Sequence, residues 1–335
     1  MKRFLLPAAC LLAALACANA LAQSAPILIR FSHVVGADTP KGRAAELFRM
    51  RAEELTKGRV KVEVHHNASL FQDGNEVAAM QSGQVEMLAP SLSKFGPIGV
   101  REFEIFDTPY LFSDRRMLQK VLAGPVGRIL FDKLAAHNIQ GLAFWDNGFK
   151  VMSSNRPLNG PADMRGIGVR IQGSKILEAQ MRTLGAAPQV MSLSEAFTAL
   201  QNGRIDGTEN PPSNLYSQRI SEVQKFVVAT NHGYLGYAVI ANKRFWDGLP
   251  ADIRSQLEIA LRDATRYGNS IAQQVNDDAL AVVERSGRTR VLRLDEPQRK
   301  AWEQALAPVR KDAEVLVGRD FMALVTRELQ AAGNR

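Results

Sequence analysis

The sequence has no cysteine after residue 17. Its two cysteines, Cys10 and Cys17, both lie in an N-terminal stretch that has the features of a secretory signal peptide. A chain that loses this stretch keeps no thiol, which excludes disulfide bonds, cysteine nucleophiles and cysteine-ligated zinc from the mature protein. The function of the mature protein must therefore depend on other side chains.

The signal peptide is predicted over residues 1–22. Lys2 and Arg3 give it a positive start, an uncharged apolar stretch covers residues 4–16, and the small residues up to Ala22 offer cleavage sites, of which we favour the one after Ala22. One alternative is a membrane anchor, but the apolar stretch is shorter than the roughly 20 residues that a spanning helix needs. The other is lipidation of Cys17, which Ala14 disfavours because a large aliphatic residue is expected there. We expect an exported protein that works in the periplasm.

Positive charge is only in modest excess, and it is spread along the chain. The formal net charge of +8 falls to +6 without Lys2 and Arg3. Because no run of arginine or lysine interleaves with aromatic residues, nucleic-acid binding is not expected, whereas a mild positive field favours small anions. The 313 residues that remain of 335 are more than one core usually serves, which predicts two domains.

Recognisable catalytic and metal-binding motifs are also missing from the sequence. The five histidines show no metal-ligand spacing, and His65 and His66 point to opposite faces of a predicted strand. Gly166 and Gly168 resemble the start of a dinucleotide loop, but Ile171 stands where the third glycine belongs and a strand follows instead of a helix. Neither a Walker loop nor a nucleophile elbow occurs. We expect no metal, no cofactor and no enzymatic activity.

Short apolar runs alternate with amphipathic stretches along the chain, which is typical of an α/β fold. Two such blocks follow one another, and the change from one to the other falls near residues 146–150. The clearest element begins after Pro250, where apolar residues recur at steps of three and four through Ala264, Tyr267 and Ile271 to Val282. A helix of roughly 35 residues is about 50 Å long, so we expect it to lie across both blocks, which crossing strands also join.

Arg170 has the pattern of an anion-binding residue. It stands between Val169 and Ile171 in a predicted apolar strand, near the strand's end and just before a predicted helix. An arginine in such surroundings costs several kcal/mol unless it is paired. The partner is either an aspartate on the strand face or a ligand carboxylate held by two parallel hydrogen bonds, and a position at the carboxyl end of a strand favours the ligand. Asn210, which precedes two prolines, either offers its amide N–H to an anion or serves a plain turn.

Several segments, in this order along the chain, resemble the substrate-binding subunits of TRAP transporters, the tripartite ATP-independent periplasmic uptake systems. These segments are residues 31–35, 39–42, 89–95, 145–150, 163–174 and 206–210. The resemblance covers nearly all of the mature chain and is closest to the C4-dicarboxylate group, through the motifs TPKG, APSLSKF and WDNGFK. It implies a protein that closes two lobes on a small organic acid anion and delivers it to the small and large TRAP membrane subunits, with a sodium-driven partner.

The resemblance also implies a fold and a site. The fold is that of a two-lobed, type II-like periplasmic solute-binding protein, in which residues 26–147 plus 236–275 form lobe I and residues 148–235 plus 276–329 form lobe II. Arg170 is expected to form the main salt bridge to the substrate carboxylate and Asn210 to hydrogen-bond the same group. The other expected substrate-binding residues are Lys150, Asn147, Lys94, Ser93, Ser91, Lys41, His33, Tyr234 and Tyr237.

A C4-dicarboxylate such as succinate, malate or fumarate needs a second cationic anchor near Arg170, and Lys41, Lys94 and Lys150 are the candidates. Three alternatives stay open: the same fold binding a keto, aromatic or sugar acid, a periplasmic enzyme acting on organic acids, and a ligand-sensing accessory to a membrane sensor kinase. We expect a monomer that does not bind nucleic acid.

Overall fold

The computed structural model describes residues 25–112 and 114–333, so the predicted signal peptide, including Cys10 and Cys17, lies outside the described residues. The strands in these residues are β1 Ile27–Ser32, β2 Val60–His65, β3 Met87–Leu88, β4 Ile139–Phe149, β5 Val151–Ser154, β6 Gly168–Ile171, β7 Ala187–Val190, β8 Gly207–Asn210, β9 Phe226–Ala229, β10 Tyr234–Asn242 and β11 Arg290–Arg293. They form a five-stranded sheet in the order β2-β1-β3-β10-β4 and a six-stranded sheet in the order β11-β9-β5-β8-β6-β7. The predicted α/β fold is confirmed.

Helices surround both sheets. The α-helices are α1 Pro40–Leu55, α2 Glu76–Gln81, α3 Arg115–Ala123, α4 Pro125–Ala135, α5 Lys175–Thr183, α6 Leu193–Gln201, α7 Pro212–Ser217, α8 Lys243–Asp247, α9 Ala251–Arg285, α10 Glu296–Leu306, α11 Val309–Val317 and α12 Arg319–Gly333. Short 3₁₀ helices occupy Leu92–Phe95, Arg101–Asp107, Pro161–Met164 and Ile220–Glu222. No helix of the described ranges is long and apolar enough to cross a membrane.

The turn between β1 and α1 is tightly built. Thr39 caps α1 by accepting a hydrogen bond from the Gly42 N–H, and Pro40 occupies the first helical position, which suits its fixed φ angle. A Cβ atom at Gly42 would lie 2.3 Å from the Gly36 carbonyl oxygen, so only glycine fits there. This turn fixes Lys41 against the end of the five-stranded sheet.

Two stretches of chain cross between the sheets, as expected. Strand β4 of the first sheet continues through Lys150 into β5 of the second sheet, and the chain returns from β9 to β10. The Lys150 N–H donates to the Gly233 carbonyl at 2.9 Å, which ties the two crossings together. Because β4 and β10 also pair with each other along most of their length, the hinge between the lobes is a two-stranded ribbon.

The long helix after Pro250 is confirmed as α9, which has 35 residues. It packs on α1 and β4 in its first half and on α7 and β11 in its second half, so it lies across both lobes. The predicted buried face is wrong after Ala264, because Gly268 and Ala272 are buried there, whereas Tyr267 is 38% exposed and Ile271 is only partly buried. Gly268 takes this place because a Cβ atom there would lie 2.8 Å from the side chain of Ala44 on α1.

The C-terminal helix differs from the expected division into lobes. Residues 319–329 are expected in lobe II, but α12, which contains them, packs against α3 and α4 of lobe I. The preceding helix α10 packs on α5 of lobe II, and α11 packs both on α5 and on the 3₁₀ helix Arg101–Asp107 of lobe I. Phe321 and Val325 are buried on the inner face of α12, so burial of this face brings the chain back to the first lobe.

Candidate functional site

The carboxyl ends of the parallel strands in the two sheets face each other. In lobe II, β6 and β8 are parallel neighbours, which brings Arg170 near the end of one strand and Asn210 to the end of the other. In lobe I, β1 and β3 are parallel to each other. Two contacts join these ends: Gln172 Nε2 donates to Ser91 Oγ at 2.8 Å, and Arg170 Nη2 lies 3.6 Å from Asp73 Oδ2. We call the space between them the cleft.

Arg170 is fully enclosed in the cleft, where it is 1% exposed. Its Nε donates to the Met191 carbonyl at 3.0 Å, whereas its Nη2 lies 3.6 Å from Asp73 Oδ2, too far for a strong hydrogen bond. Burial lowers the pKa of Arg170 and outweighs the opposing effect of Asp73. The aspartate expected as one of two alternatives is therefore present, but its single long contact leaves the bidentate face of the guanidinium unmatched.

Asn210 presents a donor without an acceptor. Its side chain is 3% exposed, and its Oδ1 accepts a hydrogen bond from Asn214 Nδ2 at 3.4 Å. Its Nδ2 has no hydrogen-bond partner in the described part of the chain. Burying an amide whose N–H groups have no acceptor costs about 1–3 kcal/mol of folding free energy, so this donor is available to an acceptor from outside the protein.

Lys41 is a buried cation without a carboxylate partner. It is 1% exposed, its Nζ donates to the Ala89 carbonyl at 2.9 Å, and no carboxylate in residues 25–112 or 114–333 comes within 4.0 Å of it. Burial lowers the pKa of Lys41 to about 7, against the partly compensating charges of Glu76 and Asp73. Of the three lysines expected as a second anchor, Lys41 is the one with an unsatisfied charge.

Lys94 and Lys150 are neutralised by acidic side chains. Lys94 binds both Asp73 and Glu76, which raise its pKa although burial opposes them. Lys150 Nζ lies 2.7 Å from Glu209 Oε2 and 3.4 Å from Asp107 Oδ1. Each of these lysines therefore has two carboxylate partners, whereas Lys41 has none among the described residues.

The residues around Lys150 form a separate buried network at the hinge. His232 Nε2 lies 3.6 Å from Glu209 Oε2, and Ser93 Oγ donates to Asp107 Oδ1 at 3.0 Å. Lys150, Glu209 and His232 are each at most 1% exposed. The structure thus places the predicted residues Lys150 and Ser93 in a network that joins the lobes and the hinge.

Tyr237 and Asn147 belong to a hydrogen-bonded group beside Lys41. Asn147 Nδ2 and Asn214 Nδ2 donate to Tyr237 Oη at 3.0 and 3.1 Å, and Ser213 Oγ donates to Asn147 Oδ1 at 3.0 Å. The ring of Tyr237 lies under the Lys41 ammonium, 3.7 Å from Nζ to the ring centroid. Because Asn214 also contacts Asn210, this group connects Lys41 to Asn210.

The two remaining predicted residues, His33 and Tyr234, lie in different surroundings. His33 is buried at the end of β1 and its Nε2 lies 2.8 Å from His66 Nδ1, whose other nitrogen contacts Glu46 at 2.9 Å. Tyr234 contacts a different set of residues: its ring packs edge-on against Phe149, with 6.2 Å between the ring centroids, and it borders a cavity of about 710 Å³ that is lined mainly by β4 and α9.

Several charged residues of the site were not predicted from the sequence, namely Asp73, Glu76, Asp107 and Glu209. Glu209 had a detectable signal, since it stands between Thr208 and Asn210 in a short strand where an ionised side chain needs a partner. Asp73 had none, because it lies in a loop where an aspartate is common. A cavity of about 540 Å³ is lined by Asp73, Lys94 and Arg170. Asp73 and Lys94 are 10% and 9% exposed and form the rim of the cleft, whereas Arg170, which is 1% exposed, lies in its interior.

A family model and a characterised relative both match most of the chain. The family model for bacterial extracellular solute-binding proteins, family 7, matches residues 31–315. The C4-dicarboxylate-binding periplasmic protein DctP of Rhodobacter capsulatus is 53% identical over 304 residues, which is 91% of each chain.

Two solved structures share the fold. A TRAP periplasmic solute-binding protein from Pseudomonas aeruginosa PAO1, with bound L-malate, has a TM-score of 0.83 and 41% identity, covering 86% of this chain and 100% of that one. Another from Shewanella oneidensis, with bound succinate, has a TM-score of 0.88 and 36% identity, covering 91% of this chain and 100% of that one.

Proposed function

Because the chain belongs to the bacterial extracellular solute-binding proteins, family 7, we propose that it captures a C4-dicarboxylate in its cleft and passes it to TRAP membrane subunits. The resemblance and the two-lobed α/β fold expected from the sequence are confirmed by these relatives. Proteins of this family are solute-binding transport proteins. The relatives that bind L-malate and succinate support the choice of ligand.

The observation that carries the proposal is the buried ammonium of Lys41, which has no carboxylate partner among the described residues although Lys94 and Lys150 each have two. An isolated buried charge is costly, and a ligand anion removes that cost. Together with Arg170, the cleft offers two cations to one small molecule. This matches the two charges of a dicarboxylate.

The proposed roles of the residues follow from their free donors. Arg170 and Asn210, at the ends of neighbouring strands, bind the first carboxylate of the ligand, the arginine through two parallel hydrogen bonds. Lys41 binds the second carboxylate, and Tyr237 positions the ammonium by contact with its ring face. Ser91 and His33 line the lobe I side. Lys94 and Lys150 keep their acidic partners and hold the surrounding structure.

The same proposal includes the finer points of location and assembly. The protein is exported to the periplasm after cleavage following Ala22, acts as a monomer and returns its ligand chemically unchanged. The lobes close over the anion and present a new combined surface to the membrane subunits. The periplasmic relatives support this location.

The test begins with native purification and identification of any co-purifying acid by mass spectrometry. Thermal unfolding is then followed with succinate, L-malate and fumarate. A ligand at 100 times its Kd stabilises a protein by about 2.7 kcal/mol, so the unfolding temperature should rise with at least one of them. A rise only with keto, aromatic or sugar acids would keep the family and change the ligand. Conversion of the acid during incubation would indicate an enzyme instead.

A further inference from the structure

Asp73 touches both lobes of the protein. It lies in lobe I, in the loop between β2 and α2, and its Oδ1 accepts a hydrogen bond from Lys94 of the same lobe. Its Oδ2 accepts the backbone N–H of Leu193 at 2.5 Å and lies 3.6 Å from Arg170 Nη2. Leu193 and Arg170 both belong to lobe II. One carboxylate thus bridges the cleft at its rim.

Leu193 is the first residue of α6, where a helix has N–H groups without intrahelical partners. Its backbone N–H is one of these groups, and an aspartate placed there also gains from the helix dipole. The Leu193 side chain is 5% exposed and packs in a small apolar cluster with Val34 and Val35 of lobe I. The same residue is therefore held to lobe I by its backbone and by its side chain.

Asp73 is ionised in its buried position. Lys94 and Arg170 hold the pKa of Asp73 far below its usual range, although burial works in the opposite direction. Asp73 is 10% exposed and Lys94 is 9% exposed, so water competes little for this contact. Hydrogen bonds to an ionised and largely buried acceptor are the stronger kind.

We propose that Asp73 is a positioning residue that holds lobe II in the closed state through the N-terminus of α6, and that it thereby sets how slowly the ligand leaves. This inference rests on the proposed function, because it concerns release from the same cleft. Asp73 lies at the rim and Arg170 in the interior, so opening of the lobes breaks the Asp73–Leu193 bond before the ligand is free. Loss of the bond accelerates release and leaves association nearly unchanged.

The proposal differs from a simple competition between Asp73 and the ligand for Arg170. If competition were its main effect, removal of its charge would strengthen ligand binding. If Asp73 holds the lobes together, the same change weakens binding through the dissociation rate. The sign of the effect separates the two.

The test measures succinate association and dissociation rates by stopped flow. Asp73→Asn removes the charge at constant shape. Leu193→Pro removes the backbone N–H at a first helical position, where proline fits because Ser192 is extended, with φ −63° and ψ 155°. Leu193→Ala is its matched control, because it loses the same apolar side chain but keeps the N–H. Asp132→Asn, an exposed acid on α4, controls for the change of charge.

We expect succinate to leave Asp73→Asn about ten times faster than the native protein, because the amide oxygen of the variant is an uncharged and weaker acceptor for the Leu193 N–H. Leu193→Pro should release succinate faster than Leu193→Ala, and should add little when combined with Asp73→Ala, because both of these changes remove the same bond. Native dissociation rates in Asp73→Asn, tighter binding in it, or equal rates in the proline and alanine variants would each overturn the proposal.

A second measurement follows lobe closure directly. Spin labels on Met50→Cys in lobe I and Arg204→Cys in lobe II report the distance between the lobes, and no other cysteine occurs after residue 17. With saturating succinate, Asp73→Asn should show a larger open fraction than Asp132→Asn. Equal open fractions would also overturn the proposal. If the native protein fails to bind succinate, L-malate or fumarate, the proposed function fails instead, and the label distances without added acid still test the role of Asp73.

Discussion

The Lys41 ammonium lies 3.7 Å from the centroid of the Tyr237 ring and 2.9 Å from the Ala89 carbonyl oxygen, and these contacts leave its charge without an acidic partner among the described residues. The other two lysines considered for the second anchor, Lys94 and Lys150, have two carboxylates each. Charge balance thus distinguishes three lysines that are equivalent in the sequence.

The first prediction concerns pH. With a pKa of about 7 in the free protein, Lys41 is mostly neutral above that pH, whereas a bound carboxylate raises its pKa. Binding above pH 7 then takes up a proton, so the affinity for succinate should fall by up to about tenfold per pH unit as the pH rises from 7 towards the pKa in the complex. Calorimetric titrations between pH 6 and about 9 measure this slope.

The matched variant for the pH experiment is Lys41→Gln. It should bind succinate more weakly at pH 6 and show a much flatter pH profile, because the titrating group is gone. A native affinity that stays constant from pH 7 to about 9 would contradict the role given to Lys41.

The second prediction concerns the shape of the Arg170 side chain. Arg170→Lys keeps the charge but loses the planar fork that binds a carboxylate at two points. We expect a loss of about 2–3 kcal/mol in the free energy of succinate binding, that is, a Kd raised roughly 30- to 150-fold. Isothermal titration calorimetry measures the Kd, and thermal unfolding without ligand checks that the fold is kept. A Kd within about threefold of the native value would remove Arg170 from the site.

The third prediction concerns the free donor of Asn210. Asn210→Asp replaces the Nδ2 group, which has no partner in the described residues, by an oxygen that repels the ligand carboxylate. Affinity should fall more in Asn210→Asp than in Asn210→Ala, which only removes the donor. Asn202→Asp, an exposed position at the end of α6, serves as the control. Equal affinities in the two Asn210 variants would mean that the group faces no anion.

The sequence predicted the parts of this fold that depend on local pattern. The regular spacing of Ile253, Leu257 and Ala260 and the residues that follow predicted the length of α9. The alternating valines of β2 predicted which face of that strand is buried. The pattern failed after Ala264, where glycine and alanine let α9 approach α1 closely and hydrophobicity no longer marks the buried side. The side of the protein on which α12 lies depends on packing between distant segments, which no local pattern records.

The candidate site was predictable to a similar degree. Arg170 was found because an arginine in an apolar strand is conspicuous, and both of its expected partners, an aspartate and a ligand, remain compatible with its surroundings. The assignments of Lys94 and Lys150 depended on partners that lie far away in sequence, 21 residues for Asp73 and 43 and 59 residues for the two acids on Lys150. Such pairs appear only when the chain is folded.

The last prediction separates a structural role of Lys150 from a role in binding. Lys150 is fully buried between Glu209 and Asp107, and removing one member of a buried ion pair leaves the others without compensation. Lys150→Met should therefore lower the free energy of unfolding by about 3–5 kcal/mol, measured by denaturant titration. At temperatures where the variant is folded, its affinity for succinate should change much less than that of Lys41→Gln. The double variant Lys150→Met/Glu209→Gln should regain part of the lost stability, because it removes one of the stranded charges. A stable Lys150→Met variant that has lost succinate binding would place Lys150 in the binding site after all.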